Sequence, residues 1–76
     1  MDIENLIKMA NRIGDFFEAM PDTDEAHAGI AAHIRRFWEP RMRRELSAYL
    51  EQHPDADGLK PIVRKALMLQ RTELRA

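Results

Sequence analysis

Five of the nine arginines in this 76-residue chain fall within ten positions. They are Arg35, Arg36, Arg41, Arg43 and Arg44, grouped around the only tryptophan, Trp38, and around Pro40. A guanidinium presents a planar fork of donors that matches a carboxylate or a phosphate with two parallel hydrogen bonds. Arginine and tryptophan are also enriched at the few positions that dominate the binding energy of protein interfaces. The stretch therefore reads as a docking surface, with Arg35, Arg36, Trp38, Arg41, Arg43 and Arg44 as the partner-binding residues. The same residues admit two other readings. One is phosphate binding, in nucleic acid or in a dinucleotide, and the other is a solvated face on which Arg41 or Arg44 pairs with Glu45 or Glu39. A net charge of −1 argues against nucleic acid, and no zinc knuckle or aromatic strand signature accompanies the block. Trp38 serves either as the anchor of the docking face or as core.

Chemistry of other kinds finds little to work with. The hydroxyl nucleophile candidates Ser47, Thr23, Thr72 and Tyr49 have no base placed near them by sequence spacing. His27 and His33 stand six apart, on different sides of a helix, and His53 belongs to another element, so no metal site is expected. His33 reads instead as a hydrogen-bonded core histidine. The five methionines are scattered and suit adaptable packing. No glycine-rich phosphate loop is present. The expectation is a chain with no catalytic residues, metal site or cofactor of its own.

The elements that must position the arginines are helices. Ile3, Leu6, Ile7, Ala10, Ile13, Phe17 and Met20 recur at steps of three and four, which predicts a helix over about residues 2–20 with Asp2 as its N-cap and Pro21 as its stop. Met9 and Phe16 widen this stripe, and both Phe16 and Phe17 are expected in the core; otherwise Phe16 makes an external contact. Asp22 and Glu25 supply helix-start chemistry for a second helix over about 24–38, with Ala26, Ile30, His33, Ile34 and Phe37 buried. Gly29, Ala28, Ala31 and Ala32 keep that helix slim. Because glycine inside a helix costs ~1 kcal/mol relative to alanine, a packing reason is expected at Gly29.

Pro40 suits the first turn of a third helix and forces Glu39 out of helical geometry. The result is a proline-broken helix corner at Trp38–Pro40. The third helix is expected over about 40–53, with Met42, Leu46, Tyr49, Leu50 and His53 on one face, and a turn follows at Asp55–Gly58. Leu59 staples a fourth helix over about 61–74 that buries Ile62, Val63, Ala66, Leu67, Gln70 and Leu74, with Arg71 and Arg75 at its negative end. The fold class is thus all-α, a small bundle of about four short helices forming a single domain over 1–76.

Charge along the chain is blocked. Residues 1–34 carry seven acids and two bases, 35–44 one acid and five bases, 45–57 four acids, and 58–76 one acid and five bases. A surface polarised in this way favours a charged partner. With no cysteine to staple a core this small, a partner or self-association is a reasonable source of added stability, and homo-oligomerisation of the isolated chain is an alternative. Asp2 and Glu4 stand where a basic leader region would be and the apolar runs are short, so the chain is expected in the cytoplasm, away from the membrane.

Two blocks carry a more specific signal: Asn5-Leu6-Ile7-Lys8-Met9-Ala10-Asn11-Arg12-Ile13-Gly14-Asp15-Phe16-Phe17, and His33-Ile34-Arg35-Arg36-Phe37-Trp38-Glu39-Pro40-Arg41-Met42-Arg43. With Leu59-Lys60-Pro61-Ile62-Val63 and Ala66-Leu67, they resemble the delta subunit of NAD-dependent, molybdenum- or tungsten-containing formate dehydrogenases. The resemblance implies a non-catalytic accessory subunit that docks on the catalytic alpha subunit and supports its assembly, stability or cofactor insertion. It also implies that the partner subunits carry the bis-molybdopterin guanine dinucleotide, iron–sulfur clusters, FMN and NAD. An alternative within this setting is a maturation chaperone whose arginines transiently bind the pyrophosphate of the pterin dinucleotide. A small nucleic-acid-binding helical domain is the more distant alternative.

Overall fold

A computed structural model of the chain describes residues 2–53, 55 and 58–69. Among the described residues it contains four helices: α1 (Ile3–Phe17), α2 (Thr23–Phe37), α3 (Pro40–Gln52) and α4 (Pro61–Leu69). Local chemistry sets their starts. Asp2 is extended, and its carboxylate accepts the Glu4 amide at 3.3 Å. Asp22 does the same more completely, accepting the amides of Asp24 at 2.9 Å and Glu25 at 3.2 Å, while Asp24 and Glu25 oppose the helix dipole. Pro40 and Pro61 open α3 and α4, where the missing N–H leaves no helical bond unmade.

Proline also explains the corner. Pro40 drives Glu39 to φ −66°, ψ 150°, and Trp38 is extended as well, so α2 cannot run on into α3. The Trp38 amide still donates to the Ile34 carbonyl at 2.9 Å, closing the last turn of α2 before the chain bends.

Every helix contributes to one core. Leu6 of α1, Ile30 and Ile34 of α2, Leu46 of α3 and Val63 of α4 are almost wholly buried, joined by Ala10, Trp38, Leu59, Ala66 and Leu67. Burying one such large aliphatic side chain contributes about 1.5–3 kcal/mol. Both α1 and α2 pack on each of the other three helices, and the most extensive helix–helix contact is between α2 and α4. No helix among the described residues is long and apolar enough to cross a membrane.

Several sequence expectations are corrected. The first helix ends at Phe17, three residues early, because the chain tightens into a turn in which the Met20 amide reaches the Phe17 carbonyl at 3.0 Å. Phe37 is 65 % exposed: Ile34 and Trp38 fill the core at that end of α2, and the Phe37 ring lies on His33 instead. His33 is only half-buried, whereas His27 is the histidine within the core, and its Nδ1 finds no hydrogen-bond partner among the described residues. Phe16 is 74 % exposed. His53 is exposed and lies against the Tyr49 ring. The α4 positions Arg71, Leu74 and Arg75, with Gln70, lie outside the described residues.

Candidate docking surfaces

The helix corner separates the arginine block into residues with different tasks. Arg43 turns inward across the bend, and its Nη1 donates to the Arg35 carbonyl at 2.7 Å. A cation is thereby set on a carbonyl at the negative end of α2. The Arg43 Nε is buried without a hydrogen-bond partner among the described residues, and it is the Nη1 contact that braces the bend. Trp38, only 6 % exposed, closes the core beneath it. These two residues hold the angle between α2 and α3.

Arg35, Arg36, Arg41 and Arg44 remain on the surface. The Arg36 guanidinium lies 5.7 Å from the centroid of the Phe37 ring, within the range of a cation–π contact. Arg41 has a side chain 79 % exposed and only a long 4.0 Å approach to Glu45, a pairing that at such exposure contributes at most about 1 kcal/mol. Arg44 borders a shallow hollow of about 290 Å³ shared with Ser47, Ala48 and Glu51. The corner thus carries four exposed arginines on a bend that two further members of the same stretch hold in place.

A second surface lies along the seam of α1 and α2, which run antiparallel. Gly29 makes it possible: a β-carbon there would stand 2.4 Å from Cε1 of Phe17, so the Phe17 ring occupies the space a side chain would take. The packing reason expected for Gly29 is therefore an aromatic ring. Phe16 stands edge-on to Phe17, with centroids 5.1 Å apart at 88°, and projects outward. Arg12, Ile13, Phe16, Phe17 and His33 line a hollow of about 420 Å³. His33 continues it toward the corner by lying against Phe37 at 4.7 Å. Sequence reasoning placed Phe37 in the core, and Phe16 either in the core or in an external contact. For Phe16 the available signal was the breadth of the first apolar stripe.

The opposite edge of α1 is closed by polar contacts. The Asn11 amide group donates to the Gly58 carbonyl at 2.9 Å, and its oxygen accepts the Lys60 amide at 2.9 Å, so one side chain ties the loop before α4 at two points. Lys60 Nζ reaches Asp15 at 2.8 Å and Glu18 at 3.3 Å. Hydrogen bonding to Asp15, then to Glu18, raises the Lys60 pKa above its ordinary 10.5. Gly14 sits where α4 crosses, and a β-carbon there would meet Val63 Cγ2 at 2.5 Å.

The other candidate chemistry stays dispersed. His27 is buried on α2, His33 is on the seam and His53 is at the end of α3. Among the described residues no three His, Cys, Asp or Glu side chains converge as a metal site would require. Tyr49 and His53 stack at 4.7 Å beside a hollow that also involves Ile3 and Gln52.

Within the two sequence blocks, Asn11 and Gly14 serve the crossing of α1 with α4, and Trp38, Pro40 and Arg43 serve the corner. The chain matches the family model of the NADH-dependent formate dehydrogenase delta subunit FdsD over residues 5–67, and it belongs to that family. No curated protein and no solved structure matches it.

Proposed function

We propose that this member of the formate dehydrogenase delta-subunit family is a non-catalytic accessory subunit. It docks on the catalytic molybdopterin subunit of a cytoplasmic NAD-dependent formate dehydrogenase and supports that subunit's assembly, stability or cofactor insertion. The partner subunits supply the bis-molybdopterin guanine dinucleotide, iron–sulfur clusters, FMN and NAD site. The observation that carries the reading, beside the family match, is the set of outward guanidiniums of Arg35, Arg36, Arg41 and Arg44 on a braced bend. A side chain carried on a braced bend loses less backbone freedom on binding than one on a mobile loop, which favours the complex.

The test is charge reversal at positions that the fold does not use. Arg36→Glu/Arg41→Glu/Arg44→Glu is expected to fold as the parent does and to lose co-purification with the catalytic subunit, because like charges set across an interface typically cost several kcal/mol. Undiminished co-purification would remove the corner from the interface. A second reading draws on the exposure of Arg41 and its long approach to Glu45: the same guanidiniums transiently hold the pyrophosphate of the pterin dinucleotide during insertion. Under that reading, catalytic subunit produced without this chain lacks its pterin. A full pterin content there would leave docking alone.

A further inference from the structure

Phe16 and Phe37 are 74 % and 65 % exposed, and both border the seam of α1 with α2. Large apolar side chains on one continuous surface, with a concavity between them, mark an interaction site more often than chance exposure does. The concavity is the hollow of about 420 Å³ whose walls are Ile13, Phe16 and Phe17, with Arg12 and His33 as its polar members. Among the described residues no carboxylate lines it.

The charged side chain in the lining of this hollow, Arg12, is a cation for a structural reason. Asp15 and Glu18 of α1 are drawn to Lys60 on the α4 side of the helix. Arg12 falls on the opposite edge, against the hollow, and Arg36 lies over Phe37 at the corner end of the same seam. An apolar cleft with cations at its wall and its end selects apolar anchors accompanied by carboxylates. A second copy of this chain fits less well. A two-fold mate sets the same patch against itself, concavity to concavity and Arg12 and Arg36 to Arg12 and Arg36.

We propose that this groove receives an amphipathic helix from a different protein chain. Large apolar side chains of that helix enter the space between Phe16, Ile13 and His33, and its Asp or Glu side chains meet Arg12 and Arg36. The inference rests on the accessory-subunit reading and gives it a second contact, separate from the outward arginines Arg41 and Arg44 of α3. Apolar anchors at successive turns of a helix filling a groove is a recurrent way for one chain to hold another.

Photo-crosslinking of the full chain, produced together with the formate dehydrogenase subunits, distinguishes the two contacts. A benzophenone amino acid is placed at position 16 in one preparation and at position 44 in another. The expected result is a crosslink from position 16 to a partner-subunit peptide that contains apolar residues at helical spacing with Asp or Glu among them. A crosslink from position 16 to this chain's own last seven residues, to a second copy or to nothing overturns the proposal. If position 44 then still crosslinks the catalytic subunit, the accessory reading stands without the groove. If neither position does, both fail. In parallel, the double variant Phe16→Ser/Phe37→Ser is expected to keep the parent's melting temperature, since both rings are exposed, and to weaken partner binding by about tenfold or more. Binding that is unchanged in a folded double variant overturns the proposal equally.

Discussion

The two edges of α1 solve the same problem in opposite ways. On the α4 edge, Gly14 lets α4 approach, Asn11 ties the preceding loop twice, and Lys60 draws in Asp15 and Glu18. On the α2 edge, a glycine again makes room, but for an aromatic ring, and the next aromatic stands in solvent. Among the described residues the first edge is tied by these polar contacts. The second exposes apolar surface whose burial would be favourable. A chain of this size has little stability to spare, and exposed apolar area of this kind is what the proposed partner helix would cover.

The sharpest way to break this contrast is to add the same methyl group on each edge. At Gly14 the added carbon meets Val63, which is fully buried and has no room to withdraw. Overpacking of that kind typically costs about 1–3 kcal/mol, partly offset by the ~1 kcal/mol gain of alanine over glycine in a helix. At Gly29 the added carbon meets the half-buried ring of Phe17, which can swing toward the adjoining hollow. Gly14→Ala is therefore expected to destabilise the chain more than Gly29→Ala. For a domain of this length each kcal/mol shifts the melting temperature by about 4–8 °C, so thermal melts resolve the difference. Equal shifts would mean that the Phe17 ring is as fixed as the core.

How much of this was legible beforehand follows from which forces act within one helix and which act between helices. Asp22 as a cap, Pro40 as the opening of α3 and the extended Glu39 could be read from the chain because each depends on its immediate neighbours. Leu6, Ile30, Leu46 and Val63 were legible from apolar periodicity. Phe16 and Phe37 were not, because periodicity states which face is apolar and not how wide a strip the neighbouring helices cover. Arg43 and Arg36 look alike in sequence, yet one braces the bend and the other lies over Phe37. That division depends on the angle between α2 and α3. The two roles of Asn11 span 47 and 49 positions in sequence, a separation at which no local pattern operates.

Asn11 supplies the next largest expected effect. Asn11→Ala removes the partner of the Lys60 amide and of the Gly58 carbonyl together. Leaving a partly buried backbone group unmet costs about 1–3 kcal/mol, and the site is open enough for water to compensate in part, so a loss near the lower end is expected. Asn11→Asp keeps the acceptor for Lys60 and loses the donor to Gly58. It should fall between the parent and Asn11→Ala in denaturant midpoint. If both variants match the parent, the loop before α4 is held by packing of Leu59 and Val63 alone.

The smallest effect expected is that of Lys60, and its sign can be tested by pH. Its charged form is favoured in the folded state, chiefly by hydrogen bonding to Asp15 and then to Glu18, so its folded pKa lies above the unfolded value of 10.5. A group raised on folding contributes fully below its unfolded pKa and loses that contribution as pH rises through the folded value. The contribution should therefore be constant through neutral pH and disappear above about 10.5, with no loss on the acid side attributable to the lysine itself. Because the three side chains are partly exposed, it should also shrink in 1 M salt, where the screening length falls to about 3 Å. Subtracting the pH–stability curve of Lys60→Met from that of the parent isolates the effect from other groups that titrate in alkali. A difference that persists unchanged to strongly alkaline pH would assign the role of Lys60 to the packing of its aliphatic stem beside Gly14, and the closed edge of α1 would then depend on Asn11 and Gly14 alone.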